Sequence, residues 1–318
     1  MLAKVGYSSA MNGRTLLTGG AGFIGSNLAR HLIAAGHRLR VLDKLTYAGN
    51  MSNLEGLELE FVQGDVCDQG LVASAMDGVD LVIHAAAESH VTRSLENAAP
   101  FIQSNIEGTR VVVQTAADLG VAHCIHFSTD EVFGSTPLGE RFGPLAPHRP
   151  SNAYAASKAS AEAFIQAIAR RTGYPCTILR MTNNYGPRQH QEKAIPSWIA
   201  HALAGKPIPI DGKGTAERDW LHVDDFCQGV LRVIEAGRPG DIHHFAGRNS
   251  RPNRAVAEFI ASLHGHLPLQ EGPERPGQDA RYWIDDTDTR EALDWAPQIA
   301  FEDGLRDLIR WAAEQKAA

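Results

Sequence analysis

Acid/base side chains are concentrated between residues 128 and 158 of this chain. The segment Ser128-Thr129-Asp130-Glu131 ends an apolar run that is typical of a buried strand, and Tyr154 and Lys158 lie four residues apart in an alanine-rich run that is typical of a helix. Residues four apart on a helix share one face. A strand end beside such a helix would bring a hydroxyl, two carboxyls, a phenol and an ammonium into one pocket, a set suited to proton transfer.

The charges of these groups should act on one another. A nearby ammonium stabilises a phenolate, so we expect Lys158 to lower the pKa of Tyr154 and make the phenol a usable base. Asp130 and Glu131 are adjacent carboxyls, and like charges at short range in a partly dry pocket resist double ionisation. We therefore expect one of the two carboxyls to be ionised and its neighbour to be neutral.

Alternating strand and helix patterns must position these groups. Strands are predicted at residues 14–18, 38–42, 57–62, 80–84, 122–128, 176–180 and 241–245. Helices are predicted at residues 27–35, 101–119, 152–171, 195–204, 222–236, 251–264, 287–293 and 301–313. Strands that alternate with helices at this spacing indicate an α/β fold, with a doubly wound parallel sheet (Rossmann) and a smaller C-terminal lobe.

A glycine-rich turn links the first predicted strand to the first predicted helix. Its spacing is Gly19-x-x-Gly22-x-x-Gly25, in the strand–turn–helix context of a dinucleotide site. Glycine lets the backbone approach a pyrophosphate closely, and the helix start offers free N–H groups. Asp43 ends the next strand, where a carboxylate accepts hydrogen bonds from a ribose hydroxyl and repels a 2′-phosphate, so we expect NAD rather than NADP. Asp65, after the third strand, is either an adenine contact or a loop carboxylate.

Composition and charge argue against several classes of partner. The formal net charge is −7 and the isoelectric point is about 6.0, which disfavour nucleic acid and an anionic membrane surface. No apolar run is long enough to span a bilayer, and residues 1–13 lack a signal-peptide core, so we expect a loose N-terminal extension and a cytoplasmic protein. The 14 histidines are scattered and the 4 cysteines form no CxxC pair, so we expect free structural thiols and no metal site.

Several motifs resemble those of the extended short-chain dehydrogenase/reductases that act on nucleotide sugars. They are Thr-Gly-Gly-x-Gly-Phe-Ile-Gly at 18–25, Tyr154-x-x-x-Lys158, and Arg-Asp-Trp-Leu-His-Val-Asp-Asp at 218–225. Within that group the chain is most similar to the dTDP-glucose 4,6-dehydratases, through residues 43–50, 88–91, 128–132, 183–187, 192–193 and 275–279. The resemblance runs from about residue 14 to 313. Its specific part is the Asp130–Glu131 pair, which the epimerases and decarboxylases of the superfamily usually lack.

This resemblance implies a reaction sequence. Tyr154 takes the proton of the sugar hydroxyl at carbon 4, Thr129 is hydrogen-bonded to that oxygen, and hydride passes from carbon 4 to NAD. Glu131 removes the proton at carbon 5, and a protonated Asp130 gives its proton to the hydroxyl at carbon 6, which leaves as water. Hydride then returns to carbon 6 and Glu131 reprotonates carbon 5, so NAD is regenerated in each turnover.

The resemblance also implies the binding residues and the assembly. The expected catalytic residues are Thr129, Asp130, Glu131, Tyr154 and Lys158. The expected NAD-binding residues are Gly19, Gly22, Phe23, Ile24, Gly25, Asp43, Lys44, Thr46, Asp65, Val66, Ala85, Ala86, Ala87, Tyr154, Lys158 and Asn184. The expected substrate-binding residues are Ser89, His90, Asn183, Lys193, Arg218 and Asn253, with Arg218 as the best candidate for the pyrophosphate because its planar fork suits phosphate. The helices at about 101–119 and 153–172 are expected to form a homodimer interface.

The division into domains follows from the same resemblance. We expect an NAD-binding Rossmann domain at residues 14–186 plus about 222–246, and a nucleotide-sugar-binding lobe at about 187–221 plus 247–318. The chain departs from the family pattern at Phe133, Thr92, Arg188, Gln278 and Ala246-Gly247-Arg248. None of these positions belongs to the catalytic set, but several border the expected substrate pocket. The identities of the substrate's nucleotide base and of its hexose are therefore left undecided.

Three functions are therefore considered. The first is an NAD-dependent nucleotide-diphosphate-hexose 4,6-dehydratase, with dTDP-glucose as the favoured substrate. The second is a nucleotide-sugar 4-epimerase or decarboxylase, which would use Tyr154 and Lys158 without the carboxyl pair. The third is a non-catalytic NAD-binding regulator, against which the intact Thr129, Tyr154 and Lys158 argue.

Overall fold

The computed structural model describes residues 13–317, so residues 1–12, which hold nearly all of the expected N-terminal extension, lie outside the described part. The strands are β1 (Arg14–Thr18), β2 (Arg38–Asp43), β3 (Glu60–Gln63), β4 (Val79–His84), β5 (His123–Thr129), β6 (Cys176–Met181), β7 (Asn183–Tyr185), β8 (Ile208–Ile210), β9 (Glu217–His222), β10 (Ile242–Phe245), β11 (Ser250–Pro252) and β12 (Leu269–Glu271). The helices are α1 (Phe23–Ala34), α2 (Gln69–Ala75), α3 (Val91–Glu96), α4 (Ala99–Phe101), α5 (Gly108–Leu119), α6 (Ala153–Thr172), α7 (Ala194–Leu203), α8 (Val223–Ala236), α9 (Asn253–Ser262), α10 (Thr287–Leu293) and α11 (Phe301–Ala317).

A seven-stranded sheet forms the centre of the fold, in the order β10-β6-β5-β4-β1-β2-β3, and each pair of neighbours is parallel. Successive strand residues face opposite layers. Leu17 and Ile83 pack in the core that includes α1 and α8, whereas Leu16 and Val82 pack in the core that includes α2, α5 and α6. The predicted doubly wound α/β fold is therefore confirmed.

The helix that carries the Tyr–Lys pair has defined ends. Asn152 caps α6, and its side-chain oxygen accepts a hydrogen bond from the Ala155 N–H at 2.8 Å. Gly173 ends the helix with φ 73°, a left-handed conformation that glycine adopts at little cost. Tyr154 and Lys158 are both buried on the side of α6 that faces the sheet. The cap and the apolar face together place this pair beside the end of β5.

Some element boundaries differ from the predicted ones. Helix α1 begins at Phe23 rather than at residue 27, because Gly22 ends the turn and serves as the N-terminal cap residue. The helix predicted at 101–119 is α4 followed by a π-helical segment, Ile102–Glu107, and α5. Helix α11 continues to residue 317 instead of ending at 313. The short strands β7, β8, β11 and β12 were not predicted, since three residues are too few to show a period, and the six-residue strand β9 was not predicted either.

A second core lies outside the large sheet. It includes Tyr185, Trp198, Trp220, Ile260 and Leu305, which come from β7, α7, β9, α9 and α11. Two small sheets, β11-β9-β7 and β12-β8, contribute to this part of the fold. In contrast, residues 293 and 295 pack into the core of the large sheet although they lie late in the chain. The division of the chain into two domains remains a prediction.

A buried ion pair joins α6 to β6 beneath the end of β5. The Glu162 carboxylate accepts from Arg180 Nη2 at 2.6 Å and Nε at 2.9 Å, with both side chains at 2% exposure or less. Ser128 Oγ also donates to Glu162, at 2.5 Å. Arg180 donates further to the Pro144 carbonyl and to His244. The pair therefore fixes the strand end that precedes Thr129.

Removing one charge of this pair should be costly. Glu162→Gln leaves the Arg180 guanidinium buried without its counter-ion, and we expect the free energy of unfolding to fall by about 3–5 kcal/mol. Urea denaturation followed by circular dichroism would measure it. The matched control is Glu235→Gln, because Glu235 is an exposed partner of Arg232 at 2.9 Å and its loss should cost less than about 1 kcal/mol. Equal losses in the two variants would contradict the assignment of Glu162–Arg180 as a buried pair.

Candidate active site

The glycine turn leaves no room for side chains at two of its positions. Gly19 has φ 71°, and a Cβ atom there would lie 2.6 Å from the Ala86 nitrogen. A Cβ atom on Gly25 would lie 2.1 Å from the Gly19 carbonyl oxygen. Because α1 begins immediately after Gly22 and has no side-chain cap, its first N–H groups are available to an anion. This geometry fits the pyrophosphate of a dinucleotide.

A cavity lies at the carboxyl edge of the sheet, between the glycine turn and α6. The expected site residues in its wall are Gly19, Gly22, Phe23, Ile24, Gly25, Asp43, Lys44, Thr46, Val66, Ala85, Ala86, Ala87, Ser89, Tyr154, Lys158 and Lys193. Two expected NAD-binding residues make other contacts. Asp65 pairs with Lys44 at 3.3 Å, and Asn184 donates to the Thr182 carbonyl at 3.1 Å. Their roles in binding NAD remain predictions.

Asp43 holds the glycine turn as well as lining the cavity. Its Oδ2 accepts from the Ala21 N–H at 2.9 Å, and its Oδ1 accepts from the Leu45 N–H at 2.8 Å. Burial raises the pKa of Asp43, and these two backbone hydrogen bonds act in the opposite direction. The carboxylate expected to meet a ribose hydroxyl is thus oriented before any ligand binds.

Asn105 was not predicted as a site residue, although its side chain holds the backbone of Glu88, a residue of the cavity wall. It lies in the π-helical segment, and its amide pairs with both backbone groups of Glu88, accepting at 2.8 Å and donating at 2.9 Å. Its Nδ2 also donates to Ser157 Oγ at 2.8 Å, and Ser157 donates to the Tyr154 carbonyl. Asn105 therefore links the loop after β4 to the helix that carries Tyr154. No periodicity in the sequence signals a π-helical turn.

Thr129 and Asp130 form the turn at the end of β5. Asp130–Phe133 is a 3₁₀ helix, and Thr129 caps it by accepting from the Glu131 N–H at 3.2 Å. Thr129 Oγ1 donates to Asp130 Oδ1 at 3.2 Å. Burial raises the pKa of Asp130 well above its usual range, and the neighbouring Glu131 charge raises it further. This direction agrees with the expectation that one carboxyl of the pair is neutral.

The expected effect of Lys158 on Tyr154 is wrong for the protein without ligands. The pKa of Tyr154 is raised, chiefly by burial and then by the Glu131 charge, while a hydrogen bond with Thr129 acts to lower it. Lys158 Nζ donates to the Phe127 carbonyl at 2.7 Å. Burial lowers the pKa of Lys158 to about 8, partly offset by Glu162. Desolvation of both groups outweighs the attraction that their spacing suggested.

Two residues that were not predicted as part of the site hold the Glu131 carboxylate. Asn152 Nδ2 donates to Glu131 Oε2 at 3.2 Å, and the Tyr282 hydroxyl lies 3.3 Å from the same oxygen. Tyr282 also lies 2.8 Å from Asp279 Oδ2, in the segment 275–279 singled out by resemblance. Asn152 was recognised only as the start of a helix. Tyr282 comes from a distant part of the chain, and no local pattern links it to Glu131.

The expected substrate-binding residues fall into two groups. Ser89 and Lys193 lie in the cavity wall, and Lys193 Nζ donates to the Ser89 carbonyl at 2.9 Å. Burial lowers the pKa of Lys193. His90 caps the N-terminus of α3, where its Nδ1 accepts from the Arg93 N–H. This first group stands beside the glycine turn and the loop after β4.

The second group lies on the smaller sheet. Arg218 is buried on β9, with its guanidinium 4.6 Å from the centre of the Tyr282 ring. Asn183 lies on the neighbouring strand β7, where it pairs with Trp220 of β9. Asn253 begins α9, and its side-chain oxygen has no hydrogen-bond partner among residues 13–317. Tyr282 also contacts Glu131, so Arg218 lies on the carboxyl-pair side of the site.

Two buried histidines lie beneath Lys158. His84 and His126 are partners in β4 and β5, with ring centres 5.3 Å apart. His84 is hydrogen-bonded to Thr18 Oγ1 at 2.7 Å and Thr109 Oγ1 at 3.1 Å, whereas neither ring nitrogen of His126 has a partner in the described part of the chain. Burial, and then the Lys158 charge, lower the pKa of His84 to about 3 and that of His126 well below its usual value.

The sequence and the fold of this chain are similar to those of known proteins. The model of the NAD dependent epimerase/dehydratase family matches residues 15–246. A dTDP-glucose 4,6-dehydratase of Streptomyces niveus is 40% identical, over 96% of this chain and 94% of the relative. The structure of DesIV, a dTDP-glucose 4,6-dehydratase of Streptomyces venezuelae solved with NAD, has a TM-score of 0.93 at 40% identity and covers 96% of this chain and 98% of its own. A UDP-glucose 4-epimerase of Thermus thermophilus solved with NAD has a TM-score of 0.88 at 28% identity, over 93% of this chain and 98% of its own.

Acid should destabilise the fold through the two buried histidines. The folded protein keeps His84 and His126 neutral, whereas the unfolded chain takes up protons below about pH 6.5. The two neutral histidines therefore contribute fully to the free energy of unfolding above that pH, and this contribution is lost as the pH falls. We expect His126→Leu to reduce the slope of unfolding free energy against pH by about 1.4 kcal/mol per unit between about pH 6 and pH 5. Urea titrations would measure it, with His266→Gln, an exposed histidine, as the control. An unchanged slope in His126→Leu would contradict a neutral His126.

Proposed function

This chain belongs to the NAD dependent epimerase/dehydratase family, and within that family we propose that it is a nucleotide-diphosphate-hexose 4,6-dehydratase that acts on dTDP-glucose. The carboxyl pair beside Tyr154 is the observation that carries this proposal. Elimination of water across carbons 5 and 6 needs a base for the carbon-bound proton and an acid for the leaving hydroxyl. Glu131 and Asp130 supply these two groups, whereas epimerisation and decarboxylation do not require both.

The cavity fits NAD. The glycine turn excludes side chains where the pyrophosphate would lie, and Asp43 would receive the ribose hydroxyl. The chemistry that NAD supplies when bound is hydride transfer from carbon 4 and back to carbon 6, together with a positively charged ring that lowers the pKa of Tyr154. Lys158 lies in the same wall as Tyr154 and holds its ammonium on the Phe127 carbonyl.

Each proton has an assigned carrier. Tyr154 takes the proton of the hydroxyl at carbon 4, and the Thr129 hydroxyl binds the same sugar oxygen. Glu131 removes the proton at carbon 5 and later returns it. Asp130 is buried, and burial raises its pKa and so favours the protonated form that donates to the hydroxyl at carbon 6. Its Oδ2 has no hydrogen-bond partner within residues 13–317, and we assign this oxygen to the leaving hydroxyl.

The position of Glu131 supports its role as the base. Asn152 and Tyr282 both contact Oε2, so the carboxylate is oriented through one oxygen. We assign the other oxygen, Oε1, to the proton at carbon 5. A base must be held close to the proton that it removes, and a carboxylate fixed at one oxygen loses little freedom when the substrate binds.

The substrate's pyrophosphate is assigned to Arg218 and Lys193. Arg218 offers a planar fork that suits phosphate and stacks on Tyr282, next to the carboxyl pair. Lys193 is a buried ammonium in the cavity wall. Asn183, Asn253, Ser89 and His90 complete the proposed set.

A panel of nucleotide sugars with mass detection tests the proposal. Loss of one water from dTDP-glucose is the expected result. An unchanged mass with a new stereoisomer would indicate an epimerase, and loss of carbon dioxide from a uronic acid would indicate a decarboxylase. A protein that binds NAD yet leaves every nucleotide hexose unchanged would overturn the proposal in favour of a regulator.

We also propose a cytoplasmic homodimer. Among residues 13–317 no helix has the length and apolarity to cross a membrane, and the four cysteines are free thiols. The helices expected at the interface carry exposed apolar side chains, with Ile102 55%, Leu119 54% and Phe164 43% exposed. Exposed apolar side chains on adjacent helices are typical of a surface that a second copy covers.

The dimer can be tested at Phe164. Phe164→Glu places a charge in the proposed interface, and light scattering should show a shift from dimer to monomer. Leu263→Glu is the matched control, because Leu263 is 42% exposed but lies at the end of α9, outside the proposed interface. A wild-type protein that is monomeric, or a Phe164→Glu protein that stays dimeric, would contradict this interface.

The role of Glu131 can be separated from that of Tyr154. Glu131→Gln keeps the shape of the side chain but removes the base, so oxidation at carbon 4 should persist while water elimination slows by about 10²-fold or more. Absorbance of the reduced nicotinamide reports the first step, and mass spectrometry reports the second. Glu140→Gln, on an exposed loop, should behave as wild type. Full dehydratase activity in Glu131→Gln would rule out Glu131 as the base.

A further inference from the structure

Two segments from distant parts of the chain form part of the wall of the NAD cavity. The loop 45–50, which follows β2, and the segment 189–193, which follows β7, contribute Thr46, Ala48, Gly49, Gln189, His190, Glu192 and Lys193. The loop comes directly after Asp43, the carboxylate that would receive a ribose hydroxyl of NAD. The contacts that join these two segments therefore bear on how NAD enters and leaves the cavity.

Arg93 of α3 joins the two segments. Its guanidinium lies over the Tyr47 ring, with Cζ 3.8 Å from the ring centre, and its Nη2 lies 3.1 Å from Glu192 Oε2. A planar guanidinium can stack on a ring through its face while it pairs with a carboxylate through its edge. Tyr47 also meets His190 edge to face, with ring centres 5.5 Å apart. We call Arg93, Tyr47, His190 and Glu192 the Arg93 clamp.

The clamp lies near the surface, and Arg93 is its permanent cation. The Arg93 side chain is 47% exposed and the Glu192 side chain 14%. Contacts near the surface can open locally while the core stays folded. His90 and His190 also approach Glu192 Oε2, at 3.7 and 3.8 Å, but they attract the carboxylate only when protonated. Arg93 is charged throughout the physiological range, so it supplies the lasting attraction.

Every contact of the clamp is between residues of the chain, so the clamp closes with or without NAD in the cavity. Contacts that form equally in both states leave the dissociation constant unchanged, but they must open before NAD passes in either direction. We infer that the Arg93 clamp is a gate that slows both the entry and the release of NAD, with Arg93 as its positioning residue. This inference requires NAD binding but not the dehydratase reaction.

Arg93→Gln tests the gate, because it removes both the stacked plane and the charge. We expect NAD release to become faster by on the order of 10-fold, since an exposed cation–π contact and an exposed ion pair are lost together. The dissociation constant should change by less than about 3-fold. Exchange of NAD-loaded, full-length protein with excess isotope-labelled NAD measures release. Equilibrium dialysis against the same labelled NAD measures the dissociation constant.

Arg306→Gln is the matched control. Arg306 of α11 is 50% exposed, pairs with Asp303 at 2.9 Å and lies 5.3 Å from the centre of the Phe259 ring, so it makes the same kinds of contact away from the cavity wall. Its NAD release should equal that of the wild type. Tyr47→Leu removes the other face of the stack and should release NAD about as fast as Arg93→Gln. The double variant should be no faster than either single variant, because both act on one contact.

Two results would overturn the gate. One is an unchanged release rate in Arg93→Gln. The other is a release rate and a dissociation constant that rise by the same factor, which would mean that Arg93 stabilises bound NAD instead of controlling its passage. If thermal unfolding shows that Arg93→Gln is misfolded, the same two measurements on Tyr47→Leu decide. A wild-type protein that releases no water from dTDP-glucose would overturn the proposed dehydratase function and leave the gate standing.

Discussion

Burial of polar groups at the carboxyl end of β5 is the constraint on which the site depends. All seven residues of this strand are buried, so polar groups near its end lose their hydration and are stabilised where the protein supplies partners. Helix α6 supplies most of them. Glu162 accepts from Ser128, and Lys158 donates to the Phe127 carbonyl. Tyr154, Lys158 and Glu162 are spaced four residues apart, so they share one helix face. Lys158 and Glu162 on that face bind successive residues of the strand, Phe127 and Ser128.

The same burial shifts the pKa values of the acid/base groups in the site. Neutral forms are favoured where charged forms lose their hydration, so the pKa values of Asp130 and Tyr154 rise and that of Lys158 falls to about 8. Burial at this position therefore favours the neutral form of the Asp130 carboxyl beside Glu131. The ion pair of Glu162 with Arg180 sits directly behind this region and keeps a charge close to Lys158.

A chain of buried hydrogen bonds joins the cofactor side of the site to the catalytic helix. The Ala86 N–H donates to Thr18, and His84 bridges Thr18 to Thr109. Thr109 donates to the Asn105 carbonyl, and the Asn105 amide reaches Ser157 on α6. Each member is buried or half-buried and paired, so the cavity floor and the Tyr154 helix hold one another in place. Asp43 performs the corresponding task for the glycine turn.

The local sequence determined the elements and the identity of the main chemical groups. The alternating strand and helix patterns predicted the doubly wound sheet, and the spacing of Gly19, Gly22 and Gly25 predicted the dinucleotide turn, because these signals depend on residues close together in the chain. The order of the seven strands was not predictable from them, and neither were three-residue strands such as β7.

Only the tertiary structure decided how the groups act on one another. The effect of Lys158 on Tyr154 was misjudged, because spacing on a helix reports proximity but not the desolvation that dominates both pKa values. Tyr282 reaches Glu131 from 151 residues away, and Asn105 acts through a π-helical turn. The local pattern predicts a cluster of acid/base groups and the cofactor turn, and the resemblance to a family implies which carboxyl is the acid and which is the base. Their protonation and orientation come from burial and from contacts between distant segments, which a local pattern does not contain.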